Sequence, residues 1–337
     1  MPVATSYRAY SRNPVTVPNT FIRSSEIYSK DDTFMKRARN VVEYVHDQIT
    51  SGTMASWTNV KGGKLLGMDE STKQKLYQTI LLTVSDFPDV FSYLTPRSND
   101  FISIGEYCSD TKPLPKDLAD FVNDPKSKGT IYVAFGSYID LDDGPPGVVQ
   151  SFVNALNEFK DYRVIWSYKG IASDVKDHVK IIKWAPQRDI LAHNKTMVFF
   201  THGGLKSAKE GVCSAVPMLF LPFYSDQPRN AHRFVSHGVA EAIYKKNIRT
   251  KLIVEKIDKI LSIPSYKEQV KTLLSYYSDR LISPLDLGVF HINRLIRNTE
   301  KHYLKFRIRG VYLDRITFCN IDIISIIFLF VYVLFRT

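Results

Sequence analysis

The stretch from Trp184 to Gln227 reads WAPQRDILAHNKTMVFFTHGGLKSAKEGVCSAVPMLFLPFYSDQ and decides the fold. Its apolar run Thr196–Thr201 predicts a buried β-strand, the two glycines after it predict a sharp turn, and Leu205–Cys213 has helical spacing. The first amide groups of such a helix have no partner within the helix, and its dipole attracts negative charge. The stretch therefore predicts a phosphate site where the strand turns into the helix.

Strands and helices alternate on both sides of this stretch, from Gly129 onwards. The predicted strands are Ile131–Phe135, Arg163–Tyr168, Val179–Ile182, Thr196–Thr201 and Pro217–Leu221, and predicted helices such as Gly147–Phe159 separate them. This alternation indicates a doubly wound sheet of parallel strands, which binds ligands at the carboxyl ends of its strands. Neither G-x-G-x-x-G after a strand nor G-x-x-x-x-G-K-[ST] occurs, which disfavours a dinucleotide-binding oxidoreductase and a P-loop protein.

A composite motif remains, with many fixed residues at fixed spacings over more than forty positions. Its members are Trp184, Ala185, Pro186, Gln187, Thr201, His202, Gly203, Gly204, Ser207, Glu210, Pro217, Pro222, Asp226 and Gln227. It resembles the nucleotide-sugar box of the UDP-glycosyltransferase family, the inverting enzymes of GT-B fold that conjugate lipophilic acceptors. Further similarity in Asn13–Asn40, Lys112–Phe121, Ile131–Ser137 and Tyr162–Tyr168 extends the resemblance over most of the chain and favours invertebrate, nematode-like members.

The resemblance implies an α/β fold of GT-B type with five parts. These are a partial acceptor-binding domain (residues 1–111), a linker (112–128), a UDP-sugar-binding Rossmann-like domain (129–262), closing helices (263–315) and a transmembrane helix (316–335). Composition also favours the last part. Ile323–Phe335 is shorter than the roughly 20 residues that span a bilayer, so the span is counted from Ile316 to Phe335. The alternative, a buried C-terminal helix, is disfavoured because the run is apolar on every face. Outside the box, the sequence predicts helices over Asp32–Gln48 and Lys73–Ser85 and a strand over Phe101–Ile104.

The resemblance assigns ligand contacts to ten residues and a catalytic role to none. Trp184 stacks on the uracil, Gln187 bonds the ribose or the base, and Glu210 accepts from the ribose hydroxyls. Ser137, His202, Gly203, Gly204 and Ser207 contact the diphosphate, and Asp226 and Gln227 bond the sugar hydroxyls. Lys206 and Ser167 depart from the residues that many relatives carry, which leaves the sugar open.

Each of these residues also has a structural interpretation. Taken alone, Trp184 reads as a core aromatic and His202 as a hydrogen-bonded core histidine. Ser207 and Glu210 read as capping residues in the first turns of a helix. The surrounding motif favours the ligand in each case.

The family's chemistry is a direct displacement at the anomeric carbon, in which a histidine oriented by an aspartate takes the acceptor's proton. The resemblance places both residues early in the acceptor domain, before the segment that this chain resembles. His46 precedes the linker but lies in a segment like a non-catalytic part of that domain, so no role is transferred to it. We expect no cofactor and no metal; the donor substrate is UDP-glucose or UDP-glucuronate.

The charge distribution and the cysteine content limit the classes of partner and site that we expect. The 337 residues carry a formal charge of +11, but apart from a cluster over Arg294–Arg315 the basic residues are spread along the chain, so a nucleic-acid partner is not expected. The cluster precedes the apolar tail and favours anionic lipid headgroups. Cys108, Cys213 and Cys319 are too few and too scattered to predict a disulfide or zinc framework, and Cys213 is expected to be a small buried apolar residue.

Two hypotheses follow for the whole protein. The first is an enzyme that moves glucose or glucuronate to a small hydrophobic acceptor, held in the membrane with its domains in the lumen of the endoplasmic reticulum, as the resemblance implies. The second is a short, inactive isoform that binds UDP-sugar or pairs with longer relatives. Homo- or hetero-oligomers are compatible with both.

Overall fold

The computed structural model describes residues 81–91, 101–298 and 320–336, with isolated positions 34, 35, 38, 42, 65 and 67. Positions 34, 35, 38 and 42 are helical, in agreement with the helix predicted over Asp32–Gln48. The other residues of that helix, including His46, lie outside the described part. So do most of Asn13–Asn40, the basic residues from Lys301 to Arg315, and Cys319.

Two short parallel strands, β1 (Thr83–Ser85) and β2 (Phe101–Ser103), form a small sheet. β2 confirms the strand predicted there. β1 corrects the helix predicted over Lys73–Ser85, because its last three residues are extended and hydrogen-bonded to β2. The β-branched Thr83 and Val84 suit a pleated strand, and pairing with a neighbour overrides a weak local helical pattern.

The main sheet has six strands, all parallel to their neighbours. They are β3 (Thr130–Ala134), β4 (Arg163–Ser167), β5 (Val179–Ile182), β6 (Thr196–Thr201), β7 (Met218–Phe220) and β8 (Ala240–Ala242). The spatial order is β5-β4-β3-β6-β7-β8, so the direction of winding reverses between β3 and β6. The predicted doubly wound sheet is confirmed, and its topological switch point lies at the end of the strand that precedes the glycine turn.

Helices connect these strands and close the chain. Their bounds are α1 (Lys116–Val122), α2 (Val148–Asn157), α3 (Gln187–Ala192), α4 (Leu205–Cys213), α5 (Gln227–Ser236), α6 (Thr250–Ser262), α7 (Ser265–Ser278), α8 (Pro284–Arg297) and α9 (Ile321–Leu334). α5 and β8 were not predicted, because α5 starts with Gln-Pro-Arg-Asn and β8 has only three residues.

Both faces of the sheet are covered, which explains why its central strands are apolar throughout. On one face Phe200 packs in a core with Phe152 of α2 and Ile257 of α6. On the other face Phe199 packs in a core with Val212 of α4 and Phe234 of α5. Alternate residues of β6 thus pack into opposite cores. Because the strand is packed on both faces, it holds the glycine turn in a fixed place.

The C-terminal helix differs from the predicted membrane span over residues 316–335. α9 has 14 residues, and among the described residues no helix is both long enough and apolar enough to cross a bilayer. The described residues therefore do not show the predicted transmembrane helix, and residues 316–319 of its range lie outside them.

Candidate functional site

A cavity of about 730 Å³ opens at the carboxyl ends of β3 and β4, beside the switch point of the sheet. Its walls include five of the predicted site residues: Ser137, Trp184, Gln187, Ser207 and Glu210. The loop after β3, the segment after β5 and the first turns of α4 supply them. Cavities of this size are typical of sites for small molecules and cofactors.

Trp184 lies on the rim of this cavity with 75% of its surface exposed. The structural alternative, a core aromatic, is excluded by that exposure. Burying a large apolar side chain stabilises it by about 1.5 to 3 kcal/mol relative to leaving it in water. An exposed indole beside a cavity is therefore suited to stacking on a planar ligand.

Gln187, Ser207 and Glu210 form a hydrogen-bonded group that also lines the cavity. The Nε2 of Gln187 donates to the Oγ of Ser207 at 3.2 Å and to the Oε2 of Glu210 at 2.5 Å. Ser207 and Glu210 lie one turn apart on α4, so both side chains project from the same helix face. Neither forms the helix cap, because Gly204 is the N-cap residue and no side chain caps the helix.

His202 is held between two glycines. A Cβ on Gly204 would lie 2.5 Å from the Nε2 of His202, and one on Gly136 would lie 3.0 Å from its Cε1. The Nδ1 contacts the Thr201 hydroxyl at 3.3 Å. Burial lowers the pKa of His202 and the negative charge of Asp226 only partly offsets this, so the ring is neutral near pH 7 and carries one N–H.

The turn that follows brings backbone amides to the same place. Gly203 has a φ of +85°, which glycine adopts without strain, and the side chain of Asn230 in α5 donates to its carbonyl oxygen at 3.0 Å. α4 then starts at Leu205 with no side-chain cap, so its first amide groups are not satisfied by the cap residue's side chain. Such a helix terminus is suited to an anion.

Five of the predicted residues are not among those that line the cavity: His202, Gly203, Gly204, Asp226 and Gln227. Asp226 accepts a hydrogen bond from Asn230 at 2.7 Å. Gln227 is buried, and its Oε1 accepts from the backbone amides of Phe223 at 2.8 Å and Tyr224 at 3.2 Å. In this arrangement the carbonyl end of Gln227 shapes the loop before α5, and its role with a sugar stays a prediction.

Charged side chains surround the mouth of the cavity. Lys112, Lys169, Lys183, Arg188 and Lys206 contribute positive charge, and Asp110, Asp140, Asp189 and Glu210 contribute negative charge. Lys206, one of the two departures from the family pattern, is exposed and stands in the first turn of α4, where a positive charge favours a bound phosphate. Ser167, the other departure, also lines the cavity.

A second, smaller cavity of about 220 Å³ shares Arg188, Lys206 and Glu210 with the first. Cys213 lines it and is bonded to Cys108 in a disulfide with a Cα–Cα distance of 5.6 Å. This corrects both the expectation of no disulfide and that of Cys213 as an unpaired apolar residue. Sequence spacing could not predict the pair, since the cysteines are 105 residues apart and only the fold brings them together.

Metal-binding geometry is not found in the described part of the chain, where no three His, Cys, Asp or Glu side chains cluster suitably. Positive charge at the site comes instead from the side chains and the helix terminus described above.

Residues 6–336 match the family model described as UDP-glucoronosyl and UDP-glucosyl transferase. A UDP-glucuronosyltransferase of Pleuronectes platessa is 34% identical over 229 residues, which are 67% of this chain and 48% of that protein. UDP-glucosyltransferase 2 of Dactylopius coccus is 31% identical over 221 residues, which are 66% of this chain and 42% of that protein. The chain spans about half the length of the curated relatives that it matches.

Solved structures show the fold. The glycosyltransferase of kitacinnamycin superposes with a TM-score of 0.56 at 18% identity and covers 77% of this chain and 67% of its own. The UDP-glucose:anthocyanidin 3-O-glucosyltransferase in complex with UDP gives 0.52 at 20% identity and covers 61% and 52%. The likeness confirms the predicted α/β fold of GT-B type. Because relatives come from mammals, a fish and Dactylopius coccus, the leaning towards nematode-like members stays a prediction. The match over nearly the whole chain settles the family: this chain belongs to the UDP-glucuronosyl and UDP-glucosyl transferases.

Proposed function

We propose that the 730 Å³ cavity binds the UDP part of a UDP-sugar, and that the protein transfers glucose or glucuronate to a small lipophilic acceptor with inversion. The observation that carries this proposal is the exposed indole of Trp184, which lines the same cavity as Glu210 and Ser207 in the first turns of α4. An aromatic face, a carboxylate and a helix N-terminus are suited to a base, a ribose and a phosphate in turn.

Each part of the donor has a partner in this arrangement. The uracil stacks on Trp184, and the ribose hydroxyls donate to Glu210. The diphosphate lies against the first amides of α4, with the hydroxyl of Ser137 and the N–H of the neutral His202 beside it. Charge develops on the β-phosphate as the sugar leaves, and donors fixed before the reaction stabilise that charge without reorganising.

The transfer itself is a single displacement. The acceptor oxygen forms a bond to the anomeric carbon while the bond from that carbon to the phosphate oxygen breaks, and the acceptor's proton passes to a general base. The described residues contribute the donor side of this reaction. We assign none of them as the base.

The proposal includes no metal. Lys206 and the helix terminus provide the positive charge that a divalent ion supplies in other nucleotide sites. We expect UDP affinity to be unchanged after treatment with EDTA. A loss of binding that Mg²⁺ restores would show that a metal ion is required.

We also propose that the described domain lies in an oxidising compartment, the lumen of the endoplasmic reticulum. The Cys108–Cys213 disulfide supports this placement, because disulfides form and persist in such compartments and are rare in the cytosol. Protease added to intact microsomes should leave the domain undigested. Digestion without detergent would place the domain on the other side.

Calorimetric titration tests the site. We expect wild-type protein to bind UDP, and His202→Ala to bind it about 1 to 3 kcal/mol more weakly because a donor to a charged phosphate is lost. Trp184→Ala should lose a similar amount through the missing stacking. His237→Ala is the matched control, because His237 is exposed at the opposite end of α5 from Asp226.

The same titration with UDP-glucose and UDP-glucuronate identifies the sugar. Unchanged UDP affinity in both Trp184→Ala and His202→Ala would reject the site. Turnover with phenolic acceptors, measured by UDP release, then separates an active transferase from a protein that only binds the donor.

A further inference from the structure

Tyr132 is a buried tyrosine whose hydroxyl reaches the floor of the cavity. It lies on the central strand β3, is 1% exposed, and stacks on Phe199 of β6 with ring centroids 5.3 Å apart. The two rings fix the direction of the phenol. Burial raises the pKa of Tyr132, and the nearby charge of Glu210 raises it further, so the hydroxyl remains protonated and acts as a donor.

The hydroxyl of Tyr132 is the first member of a chain of hydrogen bonds that crosses from β3 to α4. It donates to the Oε1 of Gln187 at 3.3 Å. The Nε2 of Gln187 donates in turn to Ser207 and to Glu210. We call these four residues the Tyr132 relay.

The carboxylate of Glu210 fixes the orientation of the Gln187 amide. If the amide were turned over, its carbonyl oxygen would face the carboxylate, and two acceptors would oppose each other in a half-buried place, where unsatisfied polar groups are costly. The amide oxygen therefore faces Tyr132, whose hydroxyl donates to it.

Within the relay, Gln187 and Glu210 differ in whether they have a group left to bind the ligand. Both ends of the Gln187 amide are committed to protein partners, so this side chain is poorly placed to bond the ribose or the base directly. Glu210 has one oxygen held by Gln187. Within the described residues, its other oxygen, Oε1, has no hydrogen bond from the protein and Glu210 lines the cavity.

We propose that Tyr132 is a positioning residue for recognition of the ribose: through Gln187 it holds Glu210 in the orientation that accepts the ribose hydroxyls of the nucleotide. This inference rests on the proposed function, since it requires that a uridine nucleotide binds in the cavity. It assigns part of the recognition of the ribose hydroxyls to a residue that acts through Gln187 and Glu210.

The test compares UDP with 2′-deoxy-UDP by calorimetric titration of wild type and Tyr132→Phe. Loss of one neutral hydrogen bond should weaken UDP binding roughly three- to tenfold. Binding of 2′-deoxy-UDP should change by less than about twofold, because a bond to the missing hydroxyl cannot be lost. The preference of the protein for UDP over the deoxy form should therefore shrink in the variant.

Gln187→Met provides a second variant, because methionine has a similar length and cannot pass on the hydrogen bond. It should reduce the same preference, and the double variant Tyr132→Phe with Gln187→Met should be no worse than Gln187→Met alone. Tyr277→Phe is the matched control. Its hydroxyl is also buried but donates to the backbone oxygens of Gly105 and Tyr107, so the preference should stay as in wild type.

Equal weakening of both nucleotides in Tyr132→Phe and in Gln187→Met, or no weakening of either nucleotide, would overturn the relay while leaving the proposed function intact. Absence of UDP binding by the wild-type protein would overturn both. Tyr132→Phe keeps the ring that stacks on Phe199, so we expect this variant to fold.

Discussion

Because Gly204 has no side chain, the imidazole of His202 can lie directly beside its backbone. The space that a Cβ would take is already occupied by the imidazole of His202, whose Nε2 would lie 2.5 Å away. The backbone itself is unstrained there, with a φ of −62°. The need for glycine at this residue therefore comes from the neighbour and not from the turn.

Gly204→Ala tests this point. We expect the added methyl group to displace His202 and to weaken UDP binding at least about tenfold, the equivalent of 1.4 kcal/mol, with a smaller effect on stability. Titration of UDP measures the first and thermal unfolding the second. Gly288→Ala is the control, because its Cβ would meet Ile104 only at an ordinary contact distance of 3.6 Å. If Gly204→Ala binds UDP with wild-type affinity, His202 does not contact the diphosphate as we propose.

At the scale of elements, a disulfide joins the segment after β2 to the C-terminal end of α4. Cys108 is exposed and Cys213 partly buried, and α4 carries Ser207 and Glu210. Tyr277 of α7 reinforces the same segment through its bonds to Gly105 and Tyr107. The segment is thus fixed against the helix that forms one wall of the cavity.

Cys108→Ser should lower the free energy of unfolding by about 2 to 4 kcal/mol, because the unfolded chain regains the freedom of a long closed loop. Chemical denaturation measures this loss. Cys319→Ser, the control, should leave stability unchanged. Alkylation of the unreduced, denatured wild-type protein should label one thiol; labelling of three would show that the disulfide does not form.

A second link between elements depends on pH. Glu241 of β8 accepts hydrogen bonds from Lys256 and Lys259 of α6 and from Tyr266 of α7. Burial alone would raise the pKa of Glu241, but these donors outweigh it and lower the pKa to about 2. A carboxylate with a lowered folded-state pKa stabilises the protein above its unfolded pKa, and this stabilisation is lost as the pH falls from about 4.5 to about 2.

Glu241→Gln should therefore be less stable than wild type at pH 7, by on the order of 2 kcal/mol. The difference should narrow as the pH falls below about 4.5, since the wild type loses its carboxylate there. Denaturation at a series of pH values measures this. Glu255→Gln on the exposed face of α6 is the matched control. A difference between Glu241→Gln and wild type that stays constant down to pH 2 would contradict the assignment.

For the molecule as a whole, the site lies where the order of the main sheet reverses. β3 and β6 are neighbours, and the chain leaves them in opposite directions, so the loop at Ser137 and the turn at His202 meet across a crevice. A ligand in that crevice contacts both halves of the sheet. It should bind the folded protein and not the unfolded chain.

UDP should consequently raise the stability of the whole domain. At a free concentration one hundred times its dissociation constant, the expected gain is about 2.7 kcal/mol, visible as a rise of several degrees in the melting temperature. Thermal unfolding with increasing UDP measures it, and His202→Ala at equal UDP concentrations should show a smaller rise. A melting temperature that does not respond to UDP would contradict binding at the crevice.

Local sequence patterns alone predict part of the fold. The strand Thr196–Thr201, the glycine turn and α4 have apolar runs, glycines and helical spacing strong enough to be predicted within a residue or two. β8 and α5 were not predicted, because three residues are too few for a pattern and a proline near a helix start resembles a loop. Extended residues at Thr83–Ser85 were assigned to a helix, because their strand exists only through pairing with β2.

The sequence by itself determined the family, the order of the strands along the chain and which residues stand at the carboxyl ends, because these depend on residue types at short spacings. Only the tertiary structure decided that Cys108 meets Cys213, that Gln227 supports its own loop, and that Tyr132 of β3 reaches Gln187 of α3. Each of these contacts joins groups whose separation in space depends on how the sheet is wound and on which way a side chain points. The spacing of residues along the chain determines neither the winding of the sheet nor the direction of a side chain.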